Sequence, residues 1–189
     1  MRGTLWLSAV CAVGLALSGT ARAQDTDGAL SQAEIESLRD AAYVPMDRVR
    51  AYESILDTRE KEIGILMKRG RRPGFVQDMH DELDQFGAIA DELNDNLDEF
   101  DGKHRDLRKE LPRLMQKIER WQTVLRGVGD DDGYNVVRKI ALTNLADMKT
   151  LTADMEGEQE RYFKEHPEAA RAEKDRLAAP HAPTDGPPR

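Results

Sequence analysis

The sequence predicts an all-α fold, an elongated antiparallel three-helix bundle with coiled-coil-like heptad packing. Of its 189 residues, 34% are charged and only 5% are aromatic, a composition typical of helical or disordered chains rather than of β-rich ones. Apolar residues also recur at alternating steps of three and four along most of the chain. That spacing places them on one side of supercoiled helices.

The first 23 residues have the pattern of a signal peptide. Arg2 precedes an apolar run from Leu5 to Leu17, and Ala21 and Ala23 provide the small residues that a signal peptidase requires. The run is shorter than the about 20 apolar residues of a membrane-spanning helix. We therefore expect cleavage near Ala23, a periplasmic or secreted protein, and no membrane span.

Residues 24–189 contain no Cys, and their 26 basic and 36 acidic residues give a net charge of −10. Without Cys, disulfides, thiolate catalysis and Cys-bound metals are excluded from this part of the chain. The acidic excess disfavours nucleic acid, because phosphate binding depends on Lys and Arg. We expect no nucleic-acid partner.

A short linker over residues 24–30 is predicted to precede the first helix, at about residues 32–69. Ser31 and Glu34 have the spacing of a capping box, which satisfies the first backbone donors of a helix. Pro45 interrupts the apolar spacing and removes a backbone donor, so we expect a kink or a new start near Val44. Gly70 ends the helix.

The second helix, at about residues 74–126, has the most regular apolar spacing. Its two interruptions are Gly102 and Pro112. Because the spacing continues across both sites, it favours one long helix kinked near Pro112. The alternative is a four-helix bundle split near Gly102, with helices over 45–69, 74–101, 104–126 and 134–164. The apolar series occupies fifteen positions, Val76, Met79, Leu83, Phe86, Ala90, Leu93, Leu97, Phe100, His104, Leu107, Leu111, Leu114, Ile118, Trp121 and Leu125.

The third helix is predicted at about residues 134–165, which completes a bundle over 31–165. Its apolar face is less regular, because Asn144 and Glu158 fall among the apolar positions. Residues 166–189 are rich in Ala, Pro and charge and contain almost no large apolar residue. This composition predicts a disordered tail.

Charge is segregated along the second predicted helix. Residues 78–101 hold ten acids and no Lys or Arg, whereas residues 103–126 hold eight Lys or Arg and three acids. One interpretation is a solvated face that pairs with Lys61, Lys68 and Arg69 of the first helix. The other is a strip that docks a basic partner, formed by Asp91, Glu92, Asp95, Asp98 and Glu99.

A second candidate interaction site lies in the first turn between helices. The basic residues there are Lys68, Arg69, Arg71 and Arg72. They could bind an anionic group, but positive charge after a helix C-terminus also complements the helix dipole.

We expect no cofactor and no metal site. The nearest candidates for a metal site are Asp91, Asp95, Asp98, Asp101 and His104. Asp101 and His104 have the three-residue spacing of paired ligands in metal-binding bundles, but a second such pair is missing, and a straight acidic face lacks the loop that calcium requires. Phosphate-binding, nucleophile-elbow and haem-attachment motifs are also missing, so we expect no enzymatic activity.

These observations predict an exported, non-catalytic helical-bundle protein that acts through protein–protein interaction. As a scaffold or adaptor of the cell envelope it would bind an envelope protein, as a monomer or a homodimer. A periplasmic holdase chaperone is the alternative. A bundle that binds divalent cations is the third interpretation.

Overall fold

A computed structural model of the chain describes residues 28–178. The prediction of an all-α bundle is confirmed for this range, which contains helices and no strand. Residues 1–23, assigned to a signal peptide, and residues 179–189 of the predicted tail lie outside it. None of the described helices has the length and apolar character needed to cross a membrane. The helices are α1 (Gln32–Asp40), α2 (Pro45–Arg69), α3 (Phe75–Gly102), α4 (Leu111–Gly127), α5 (Asn135–Glu165) and α6 (Pro167–Ala178).

The core is formed by four helices, so the prediction of three is wrong. Helices α2 and α5 each pack against both α3 and α4, whereas α3 and α4 lie diagonally across the bundle although they are consecutive. The chain therefore forms two hairpins, α2–α3 and α4–α5, joined by a crossover over residues 103–110. The longest helix, α5, has 31 residues and extends about 46 Å at 1.5 Å per residue.

The two hairpins pack side by side, so that α2 lies beside α4 and α3 lies beside α5. Pairs between α2 and α4 keep a constant offset, from Glu53 with Arg113 to Asp57 with Lys117, so these two helices are parallel. Helices α3 and α5 are also parallel, since the Phe75 and Tyr134 rings meet at one end, with their centroids 6.3 Å apart. Antiparallel packing, which the sequence predicts throughout, holds within each hairpin but not between them.

The prediction of a continuous helix across Gly102 and Pro112 is wrong. Helix α3 ends at Gly102, and His104 follows with a left-handed φ of 49° that no α-helix accommodates. Pro112 lies in the first turn of α4, where its missing N–H leaves no hydrogen bond unmade. Leu107, in the crossover, is nevertheless fully buried. The apolar spacing therefore indicated burial and not an unbroken backbone.

The predicted first helix consists of two helices. A new start occurs at the predicted place, with Val44 as the N-cap of α2 and Pro45 in its first turn. Helix α1 folds back along α2, where Arg59 donates a hydrogen bond to the Ala29 carbonyl at 2.8 Å. Ala29 is buried, so this end of the predicted linker belongs to the folded unit.

Aromatic side chains meet at the centre of the bundle. Phe86 of α3 and Trp121 of α4 are fully buried and pack edge to face, with ring centroids 6.1 Å apart. The Trp121 indole also donates a hydrogen bond to Asp57 of α2 at 2.9 Å. The largest fully buried side chains around them come mainly from α2, α3 and α4 and include Tyr52, Leu56, Ile63, Met79, Leu83, Ile89, Leu93 and Leu97.

Two Asn side chains join α3 to α5. Asn144 donates to the Gly87 carbonyl at 2.9 Å, and Asn94 donates to the Asn144 carbonyl at 3.0 Å. Gly87 lies against Ala141, and a Cβ on Gly87 would sit 3.6 Å from it. Asn144, which interrupts the apolar pattern in the sequence, therefore makes a specific contact between the hairpins.

Residues 167–178, predicted to be disordered, form α6. Pro167 occupies its first position, and the Ala, Glu, Lys and Arg residues that follow have high helix propensity. Arg105 of the crossover donates to Glu173 at 2.9 Å, and Leu177 is half-buried. Local propensity and one ion pair thus order a segment that has no buried residue of its own.

Neighbouring residues on α3 test the assignment of the buried face. Leu97 is fully buried, whereas Asp98 is exposed. Leu97→Asp should lower the free energy of unfolding by at least about 3 kcal/mol, because it buries an unpaired charge. Asp98→Asn should change it by less than about 0.5 kcal/mol. Urea denaturation followed by circular dichroism measures both, and equal effects would contradict the assignment.

Gly133, in the turn between α4 and α5, lies directly against the side chain of Val76. A Cβ at this position would overlap Cγ1 of Val76, so Gly133→Ala should cost about 0.5–1.5 kcal/mol of stability, because Val76 must leave its preferred rotamer. A Cβ on Gly129, in the same turn, would meet no atom within 4 Å, and Gly129→Ala serves as the control. The cost of Gly133→Ala should fall in a Val76→Ala background, and an unchanged cost would show that Val76 is not its cause.

Candidate interaction surface

Opposite charges pair between residues 50–60 of α2 and residues 110–120, at the start of α4. The acids lie on α2 and the bases on α4, except in the first pair, where the two are reversed. The basic half of the predicted second helix is therefore largely used within the molecule. The pairs are Arg50–Glu110, Glu53–Arg113, Asp57–Lys117, Asp57–Arg120 and Glu60–Arg120.

Two acids of these pairs are removed from solvent. Glu53 is fully buried and Glu110 is 3% exposed. Burial raises the pKa of Glu53, although the Arg113 hydrogen bond and the charge of Lys117 act to lower it. The apolar spacing did not predict this burial, because Glu53 is a charged residue that directly follows the core residue Tyr52.

An acidic face lies where α3 and α5 meet, on the side of the bundle opposite the α2–α4 pairs. We define it by Asp91, Asp95 and Asp98 of α3 and Asp147 of α5, all of which are exposed. Partial burial of its carboxylate and the nearby carboxylates of Asp95 and Asp147 raise the pKa of Asp91. These acids therefore repel one another. Helix α3 offers no Lys or Arg between residues 78 and 101 to offset that repulsion.

Glu92, predicted to belong to the docking strip, lies elsewhere. It is half-buried and accepts a hydrogen bond of 2.7 Å from the Tyr52 hydroxyl. Burial and the Glu92 carboxylate raise the pKa of Tyr52. Arg48 and Asn96 complete this network between α2 and α3. Glu92 therefore has a structural partner that its sequence position did not indicate.

Glu99 is the second residue of the predicted docking strip that lies outside the acidic face. It is exposed and pairs with Lys103 one turn later. The hydrogen bond from Lys103 lowers the pKa of Glu99. Three of the five predicted strip residues thus remain on the acidic face. Asp147 joins them from α5, which the sequence pattern did not predict because it depends on how the helices pack.

The basic cluster after α2 is partly paired. Arg71 lies 2.9 Å from an Asp131 oxygen and Arg72 lies 3.1 Å from an Asp78 oxygen. Lys68 and Arg69 occupy the last turn of α2, where they complement the helix dipole. The Arg71–Asp131 pair links the two inter-helix turns, so half of this predicted interaction site serves the fold.

Asp101 and His104 border a cavity of about 250 Å³ beside α5. The His104 ring stacks on Tyr162 at 4.1 Å between centroids, and the His166 ring lies 4.8 Å from Tyr162. Between residues 28 and 178, no group of three or more His, Cys, Asp or Glu side chains is placed to hold a metal ion. The sequence pointed to neither aromatic partner of His104.

Several large apolar side chains are exposed, which the sequence analysis did not predict. Val76, the first position of the predicted apolar series, is 37% exposed. Val136 is 68% exposed and Ile140 is 42% exposed. All three belong to the first two turns of the parallel helices α3 and α5. They lie at the end of the bundle that carries the two inter-helix turns.

Comparison with known protein families, with characterised sequences and with solved structures finds no match to this chain. Function is therefore inferred from the geometry and charge of the described surface. Its two unusual regions are the acidic face and the exposed apolar residues beside it.

The raised pKa of Glu53 predicts an unusual dependence of stability on pH. The folded state holds this proton to higher pH than the unfolded chain, so wild type loses stability as pH rises above about 4.5, the ordinary pKa. Glu53→Gln should therefore gain stability relative to wild type as pH rises from 4 to 8. Urea denaturation at a series of pH values, followed by Trp121 fluorescence, measures the difference.

Asp106 provides a control for which the dependence of stability on pH has the opposite sign. The hydrogen bond from Arg108 lowers the pKa of Asp106, so wild type gains stability as pH rises through the acidic range. Asp106→Asn should therefore lose stability relative to wild type over the same pH series. If both variants drift in the same direction, the interpretation of the buried Glu53 is wrong.

Proposed function

We propose that this chain is an exported, non-catalytic helical-bundle protein that acts through protein–protein interaction as a scaffold or adaptor of the cell envelope. Its acidic face would bind a basic region of an envelope protein. One observation carries the proposal, the separation of charge across the bundle. Bases pair with acids along α2 and α4, whereas the acids of α3 and α5 share one exposed face without an intervening base.

The electrostatics of this face favour a cationic partner. The raised pKa of Asp91 reflects burial together with repulsion from Asp95 and Asp147. A Lys or Arg placed between these carboxylates would relieve the repulsion. A cationic partner would therefore bind with a more favourable free energy than a neutral one. A surface of one charge sign also speeds association with an oppositely charged partner, an effect that salt screens.

The location proposed for this interaction follows from the N-terminal sequence. Residues 1–23 have the pattern of a signal peptide, and residues 24–189 contain no Cys. A Cys-free chain folds without depending on the oxidising chemistry of an exported compartment. The buried aromatic and aliphatic core supplies the cohesion that disulfides provide in many exported proteins.

A pull-down from envelope extract tests the acidic face. We compare the purified chain with the triple variant Asp91→Asn, Asp95→Asn, Asp147→Asn. The matched control, Glu36→Gln, Asp40→Asn, Glu62→Gln, removes three exposed acids of α1 and α2 and changes the net charge equally. A specific partner should be captured by wild type and by the control, and lost with the acidic-face variant and at high salt. Equal capture by all three proteins would contradict the proposal.

A holdase chaperone is the second candidate function. The observation in its favour is the exposure of Met67, Val76, Val136 and Ile140, since exposed apolar groups bind unfolded chains. A holdase should suppress light scattering by a heat-denatured client protein in proportion to its concentration. No suppression at a tenfold molar excess would exclude this candidate.

A further inference from the structure

Three of the exposed apolar side chains lie near one another at the same end of α3 and α5. Val136 and Ile140 are one turn apart on α5, and Val76 of α3 lies against Gly133, one turn before Val136. We call these three residues the apolar patch. Exposed large apolar groups that adjoin one another are unusual on a monomer and mark interaction sites more often than single ones do.

The apolar patch and the acidic face both lie along the line where α3 and α5 pack together, and we call this stretch of surface the groove. Gly87 of α3 lies opposite Ala141 of α5, so these two residues mark the same level of the bundle. Asp91, one turn after Gly87, and Asp147, six residues after Ala141, lie near enough for their charges to interact. Ile140 and Asp147 are seven residues apart on α5, or about 10 Å along the helix. The groove therefore changes from apolar to acidic within two turns.

We propose that this groove binds an amphipathic helix of a basic protein, an inference that rests on the proposed function and specifies its partner. Two apolar side chains of that helix, four residues apart, would cover Val136 and Ile140. Lys or Arg about seven residues further along the same face would pair with Asp91 and Asp147. A helix laid in a groove with such spacing is a common form of peptide recognition.

The charges around the apolar patch favour a cationic helix over an anionic membrane surface as its binding partner. Exposed acids at this end of the bundle include Asp84 and Asp132. The exposed bases nearest to Val76 along the chain, Arg71 and Arg72, are paired with Asp131 and Asp78, and Lys139 adjoins Ile140. An anionic bilayer would be repelled by these acids and by the adjoining acidic face. A cationic helix is attracted by the same charges, and its apolar residues remove the exposed Val and Ile side chains from water.

Two labelled peptides of identical composition test the inference by fluorescence anisotropy with the purified chain. In the ordered peptide, two Leu one turn apart and three Lys two turns later share one helical face. In the shuffled peptide, the same Leu and Lys residues lie on opposite faces. The ordered peptide should bind about tenfold more tightly than the shuffled one, because only it can bury both Leu side chains in register with the acids.

Variants locate the binding site. Val136→Ser with Ile140→Ser should lower the affinity for the ordered peptide about tenfold, to that of the shuffled peptide. Met67→Ser is the control, since Met67 is a 38% exposed apolar residue of α2, outside the groove. It should leave the affinity unchanged. Circular dichroism and Trp121 fluorescence establish that each variant folds.

The remaining outcomes separate this inference from the proposed function. If both peptides bind equally, and only the variant of Asp91, Asp95 and Asp147 weakens them, the acidic face binds bases but the inference of a helix in the groove is wrong. Failure of both peptides to bind also overturns it, whereas the pull-down tests the proposed function independently. Self-association of the chain that Val136→Ser with Ile140→Ser abolishes would assign the patch to a second copy and overturn the inference.

Discussion

The contact between Phe86 and Trp121 is the interaction on which the rest of this bundle depends. These rings meet edge to face at the centre, 6.1 Å apart, and belong to the two helices that lie diagonally opposite. Such a contact contributes about 0.5–1.5 kcal/mol beyond the burial of its area. The Trp121 indole also donates to Asp57 of α2. One buried side chain thereby contacts two other helices and ties α4 to α2, across the core from α3.

Helix α4 lies diagonally opposite α3, and this position determines which charged residues become neighbours. Because α4 packs beside α2, its bases meet the α2 acids at a constant offset, as in Glu53–Arg113 and Asp57–Lys117. The acids of α3 are then left beside α5, which adds Asp147 rather than a base. The acidic face is therefore a consequence of topology as well as of composition. An unbroken helix from 74 to 126 would have placed these bases in line with the acids.

The buried charges of the α2–α4 contact specify the register of α4 along α2 more than they add stability. Removing Glu53 from water costs free energy, which the pairing with Arg113 offsets only when the two side chains meet. A shift of α4 by one turn would take the buried Glu110 away from Arg50, to a position opposite Met46 or Ser54. The correct register is thus favoured over its neighbours even if the pair contributes little to overall stability. That alignment also sets the positions of the helices that form the groove.

The sequence by itself determined the features that depend on nearby residues. Ser31 and Glu34 form the predicted capping box, α2 begins at Pro45, and Gly70 follows its last residue. Hydrogen bonds in caps and turns join residues a few positions apart, so their donors and acceptors can be identified along the chain. Regular apolar spacing also identified most of the buried residues. It did not show that the helix breaks after Gly102, because burial can continue through a non-helical segment.

Only the tertiary structure decided which charges find partners and which remain exposed. Glu92 and Asp91 are adjacent, yet Glu92 bonds to Tyr52 and Asp91 faces solvent near Asp147. These partners lie 40 residues or more away along the chain, and several packings of the same helices would satisfy the same apolar pattern. The choice among those packings depends on core shape and on the register of buried charges. Neither can be obtained from the spacing of residues within one helix.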